Sequence, residues 1–160
     1  MKNWIITGVL AVLLIAGFGS WYLYTSNMDT SNSSAQAAIV KAKRYYQVQK
    51  VDSVSYYYGT DAYEVVKCVR NSVQMYVWVP DEPQKAKYIV RAVKNGITRN
   101  QALQELAGLH LNVNKIISVK LGAIQNSPVW EITFTNNTNS YNYVSFYFDN
   151  GKEAQRILNV

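Results

Sequence analysis

The chain has 160 residues, 49% of them hydrophobic and 13% aromatic, and a formal net charge of +6. That apolar content excludes a largely disordered chain, and one cysteine, Cys68, excludes an internal disulfide. One histidine, His110, beside that single cysteine is too few for a Cys/His metal centre.

Trp4 to Tyr24 carries no charge. As a helix this segment would rise about 30 Å, the thickness of a bilayer core. Trp4 at one edge and Trp21, Tyr22 and Tyr24 at the other suit the two interfaces. Lys2 precedes the segment and Asp29 is the first charge after it, which puts the N-terminus in the cytoplasm and the C-terminal region outside the cell. Gly17-Phe18-Gly19 is a poor cleavage site, so an uncleaved single-pass anchor over 1–25 is expected rather than a signal peptide. Ser26 to Ser34 is polar and reads as a flexible tether over 26–34. About 125 residues remain, enough for one compact domain or two very small ones.

Ala35 to Tyr46 suits a helix, with Ala38, Ala42, Tyr45 and Tyr46 on one face and Ser33 or Ser34 as its cap. Val51–Tyr58, Ala62–Val69 and Gln74–Val79 are rich in Val, Tyr and Trp and bounded by turn residues, as antiparallel strands are. Lys87–Val93 reads either as a fourth extended segment or as a bridge. Thr98–Leu109 repeats the helix, with Thr98 as cap. Lys115–Ala123, Val129–Thr135 and Tyr143–Phe148 repeat the strands, with Glu153–Leu158 as a tail. The fold class is therefore α+β: a transmembrane helix, then two tandem units over 35–96 and 97–160, each one helix on a curled antiparallel sheet. Tyr63-Glu64-Val65 corresponds to Trp130-Glu131-Ile132 in this repeat.

No catalytic constellation stands out. His110 follows the second helix and reads as a cap or a packing residue, and Cys68 lies in an apolar run that reads as buried strand. Glu64 and Glu131, at matching repeat positions, are expected on the solvent faces of their strands. No cofactor or metal site is expected, and no glycine-rich phosphate loop is present. Two basic clusters, Lys41, Lys43, Arg44 and Lys50, then Lys85, Lys87, Arg91, Lys94 and Arg99, are either solvated faces or attract anions. Outside a membrane such anions are lipid headgroups or wall polymer, not nucleic acid. In the run Tyr56-Tyr57-Tyr58, alternation sets Tyr57 opposite the other two. The aromatics either fill a core or face a partner. Tyr57, Tyr63, Trp78, Lys85, Lys87 and Arg91 form the candidate partner-binding surface.

Ile97-Thr98-Arg99-Asn100-Gln101-Ala102, Pro128-Val129-Trp130-Glu131-Ile132 and Phe148-Asp149-Asn150-Gly151-Lys152 together resemble a PepSY unit. With Met75-Tyr76-Val77-Trp78-Val79-Pro80 and Ala92-Val93-Lys94-Asn95-Gly96-Ile97-Thr98, nearly the whole chain resembles the YpmB or TseB-like membrane proteins of Gram-positive bacteria. The resemblance implies an anchor, a cystatin-like unit and a PepSY-like unit. It also implies a non-enzymatic role in regulating cell-wall elongation through a membrane-bound penicillin-binding protein. A peptidase-inhibiting or chaperone-like PepSY role and an electrostatic tether to wall polymer are the alternatives.

Overall fold

The computed structural model describes Ile15, Ala16 and residues 32–160. Apart from Ile15, Ala16 and residues 32–34, the expected anchor and tether lie outside the described residues. Among the described residues no helix is long and apolar enough to cross a membrane. Residues 32–46 are helical and form α1, so the tether gives way to helix before Ala35. Ser33 and Ser34 lie within that helix rather than capping it. Ala37–Val160 form one compact unit.

That unit is α+β. Four antiparallel strands make the first sheet in the order β1 (Lys50–Tyr58), β2 (Ala62–Arg70), β3 (Val73–Pro80) and β4 (Ile89–Ala92). A 3-10 turn, Val93–Asn95, leads to α2 (Arg99–Gly108). A second meander follows: β5 (Lys115–Ile124), β6 (Ser127–Thr135), β7 (Tyr141–Tyr147) and β8 (Glu153–Ile157). Each sheet thus has four strands, one more than the three clear runs in each half of the sequence. The extra strands span only 89–92 and 153–157 and mix charged with apolar residues, which weakens any period-2 signal.

Local chemistry explains the boundaries. Thr98 caps α2 through a full capping box, its hydroxyl accepting from Gln101 N–H while the Gln101 side chain accepts from Thr98 N–H. The helix stops where His110 takes φ +52°, with its N–H donating to Ala107 O. Asn71-Ser72 and Gln125-Asn126 all have positive φ, as two-residue hairpin turns that follow the strand twist require.

The first sheet is covered on both faces. On one face, Val66, Cys68, Val77 and Val79 cluster with Ala38 and Ala42 of α1. On the other, Tyr57, Tyr63, Val65 and Trp78 cluster with residues of the second sheet. β2 is therefore buried without a break from Tyr63 to Val66 rather than at alternate residues, as a doubly covered strand is. The second sheet has one helix-covered face: Trp130, Ile132, Phe134, Val144 and Phe146 share a cluster with Ala102 and Leu106 of α2.

The joint between the sheets is specific. Gly122 lies flat beneath the Tyr57 ring, so a Cβ there would sit 2.5 Å from ring carbons. The Trp78 indole N–H donates to Gly122 O at 2.9 Å. Phe148 meets Trp78 and Tyr76 edge-on, with ring centroids 5.8 and 5.9 Å apart, a geometry worth about 0.5–1.5 kcal/mol per pair beyond area burial. Asn126 Oδ1 accepts from Lys87 N–H at 2.7 Å and from the Tyr63 hydroxyl at 3.4 Å. Arg91 forks onto Asp149 at 3.0 Å.

Because these contacts span the two sheets, Gly122→Val should cost about 1–3 kcal/mol through overpacking against Tyr57. Urea unfolding of wild type should show coincident fluorescence and circular-dichroism transitions, shifted together in the variant. Two separated transitions in the wild type would show that the sheets unfold independently.

Candidate functional site

Glu131 projects from β6 on the face turned away from α2, because its neighbours Trp130 and Ile132 point to the helix side. Its register partners are Lys120 on β5 and Ser145 on β7. Its Oε2 accepts a 3.0 Å hydrogen bond from the Tyr57 hydroxyl, which crosses from the first sheet. Burial pushes the Glu131 carboxyl above the ordinary carboxylate range, against the opposing pull of the Tyr57 hydroxyl and Lys120. Burial, followed by the Glu131 charge, raises the Tyr57 phenol well above its usual value.

Beside this pair lies a groove of about 260 Å³ between the β1–β2 turn and the open face of the second sheet. Tyr57, Tyr58, Tyr143 and Ile157 supply aromatic and aliphatic walls, and Glu131, Ser145 and Gln155 the polar lining. Tyr58 is 79% exposed while Tyr57 is 2% exposed, which is the alternation expected of the tyrosine run. Across the Gly59-Thr60 turn a second depression of about 140 Å³ is lined by Asp61, Asp81, Glu82 and Lys85.

The six residues expected to meet a partner divide. Tyr63 and Trp78 are buried between the sheets, which corrects that expectation for both, and Tyr57, 2% exposed, contributes only to the wall of the groove. Each is large and can hydrogen-bond at its tip, and the second sheet satisfies both demands. Burial pushes the Tyr63 phenol up to about 12. Lys85 stays on the surface, paired with Glu82 at 2.7 Å. Lys87 is exposed. Arg91 is held by Asp149, so its charge serves the joint. These residues do not form one patch with the aromatics.

Glu64 and Glu131 also depart from expectation. Glu64 is 4% exposed and shares a face with Val66 and Cys68, whereas Glu131 faces away from α2. The two acids lie on opposite sides of their sheets relative to the helices, because side-chain facing alternates along a strand and a one-residue offset inverts it. Neither sits on a free solvent face. Cys68 is fully buried, with burial raising its thiol, and His110 is exposed beyond α2. Among the described residues no group of three His, Cys, Asp or Glu side chains is placed to hold a metal ion.

Known proteins share this architecture. The profile of a family described as the cell wall elongation regulator TseB-like domain matches residues 37–80, from α1 to the end of β3. The "Probable cell wall elongation regulator TseB" of Bacillus subtilis (strain 168) is 31% identical over 149 residues, 92% of this chain and 89% of that protein. The solved structure of the YpmB protein from Bacillus subtilis superposes with a TM-score of 0.70 at 31% identity, over 76% of this chain and 94% of that one.

The raised carboxyl has a stability consequence. An acid whose folded pKa exceeds its unfolded one binds protons more tightly when folded, so stability falls as pH rises through that interval. Glu131→Gln keeps an acceptor for Tyr57 and removes the charge. Chemical denaturation should show the variant gaining stability over wild type at pH 7.5, with the gain shrinking at pH 4. A gain that is equal at both pH values would mean that Glu131 carries no such penalty.

Proposed function

We propose that this chain, which belongs to the TseB-like family of cell wall elongation regulators, is a non-enzymatic regulator that acts outside the cytoplasm by binding a penicillin-binding protein. The observation that carries the reading is likeness to the Bacillus regulator along 92% of the chain. The site chemistry agrees with it. A buried cysteine with a raised thiol pKa is a poor nucleophile, and His110 lies on an exposed turn. What the fold does supply is a rigid two-sheet body with recognisable surface relief, suited to docking.

The membrane arrangement follows from sequence: an uncleaved anchor at Trp4–Tyr24 with the remainder outside. Protease added to intact protoplasts should remove the C-terminal portion, and full protection would reverse the orientation.

Full-length chain solubilised from its own membranes should bring down a protein that labels with fluorescent penicillin. The double variant Cys68→Ala, His110→Asn should capture it equally well, since asparagine tolerates the left-handed backbone at 110. Absence of any labelled protein in the wild-type capture would defeat the reading. Loss of regulation in a stably folded double variant would count against the non-enzymatic part.

A further inference from the structure

We propose that the groove beside Tyr58 receives a basic side chain of a partner polypeptide, a lysine or arginine whose cationic head meets Oε1 of Glu131. The inference deepens the protein-binding reading above and rests on it only for the identity of the partner.

The groove has both parts that such a side chain requires. Its walls, Tyr57, Tyr58, Tyr143 and Ile157, suit the methylene stem of lysine or arginine, and the tyrosine rings also attract a cation. Its polar lining includes a carboxylate with one oxygen committed and one open: Tyr57 donates to Oε2, and among the described residues no hydrogen bond reaches Oε1. The nearest cation of the chain itself does not fill the role, because Lys120, opposite Glu131 on β5, makes no ion pair with it among the described residues. A half-buried carboxylate beside aromatic rings strengthens a charge-assisted bond relative to one in open water.

Charge complementarity selects the class of occupant. The chain is basic overall, at +6, yet four of its ten acidic residues, Asp61, Asp81, Glu82 and Glu131, gather on the two sides of the Gly59-Thr60 turn, and the one cation lining either depression, Lys85, is paired with Glu82. A cationic segment is therefore repelled by much of the surface and drawn to this end. An anionic lipid or wall polymer would meet Glu131 unfavourably and is not the occupant. Tyr58 stands 79% exposed between the two depressions, a large aromatic contact for a segment lying across the turn.

The test uses full-length chain in nanodiscs of neutral phosphatidylcholine, so that the lipid does not itself collect basic peptide. A labelled hexa-arginine peptide should bind, with affinity falling as salt rises, while hexaglutamate should not. Glu131→Gln, which keeps the Tyr57 hydrogen bond, and Tyr58→Ser, at an exposed position, should each weaken hexa-arginine binding about tenfold, or roughly 1.4 kcal/mol. No binding by wild type, or binding unchanged in both variants, overturns the proposal. Capture of the penicillin-labelled protein supplies the second arm. Its loss in Glu131→Gln supports the groove as the docking site. Equal capture by wild type and both variants overturns the groove and leaves the regulator reading standing. Glu131-dependent peptide binding, with no penicillin-labelled protein captured even by wild type, upholds the groove and removes the regulator reading.

Discussion

The stack of Tyr57 on the bare backbone of Gly122, fastened by the Trp78 indole on Gly122 O, is the contact on which the rest of this structure depends. Four-stranded sheets of this size have little core of their own. Each sheet here has a helix on one face, and the first sheet gains its second cover only because β5 lets an aromatic ring approach its main chain. With no Cβ at 122, the ring reaches van der Waals contact with the peptide plane. The indole N–H then has an acceptor inside the core, where an unpaired donor would cost about 1–3 kcal/mol. Asn126 and Asp149 extend the same joint at the two hairpin ends, so its edges are polar and directional while its centre is aromatic.

Tyr57 also links the joint to the groove. Its ring belongs to the core and its hydroxyl ends on Glu131, so the geometry of the carboxylate is inherited from the packing of the sheets. A side chain held at both ends loses rotamer freedom at folding rather than at binding. The groove is thereby presented in one shape, with the exposed Tyr58 at its edge.

Much of this was legible in the residues. The Thr98 cap, the buried Cys68, the turn at His110 and the facing of Tyr57 follow from rules that act over a few positions. What was not legible depends on which surface covers which. Tyr63 and Trp78 have the amphipathic character of interface residues, and in a sense they are that, but the interface is internal. Alternation along β2 cannot tell a solvent face from a second buried face, so Glu64 was misplaced. The short strands β4 and β8 lack a periodic signal of their own and exist because a neighbour offers free hydrogen-bonding groups. The groove was invisible because its lining comes from β1, β5, β6, β7 and β8 and from the β1–β2 turn, brought together only by the inter-sheet joint.

The double covering of the first sheet also divides evolutionary freedom unevenly. A substitution on β2 or β3 must satisfy two packing environments at once, one against α1 and one against the second sheet, so few replacements are neutral there. The face of the second sheet turned away from α2 is constrained where Gly122 and Glu131 meet Tyr57, and freer along β8, whose Gln155 and Ile157 are exposed. Those two β8 positions can vary with whatever they touch while the scaffold stays fixed. A chain with this scaffold can therefore change what it contacts by rewriting the exposed residues of β8 while the joint stays intact.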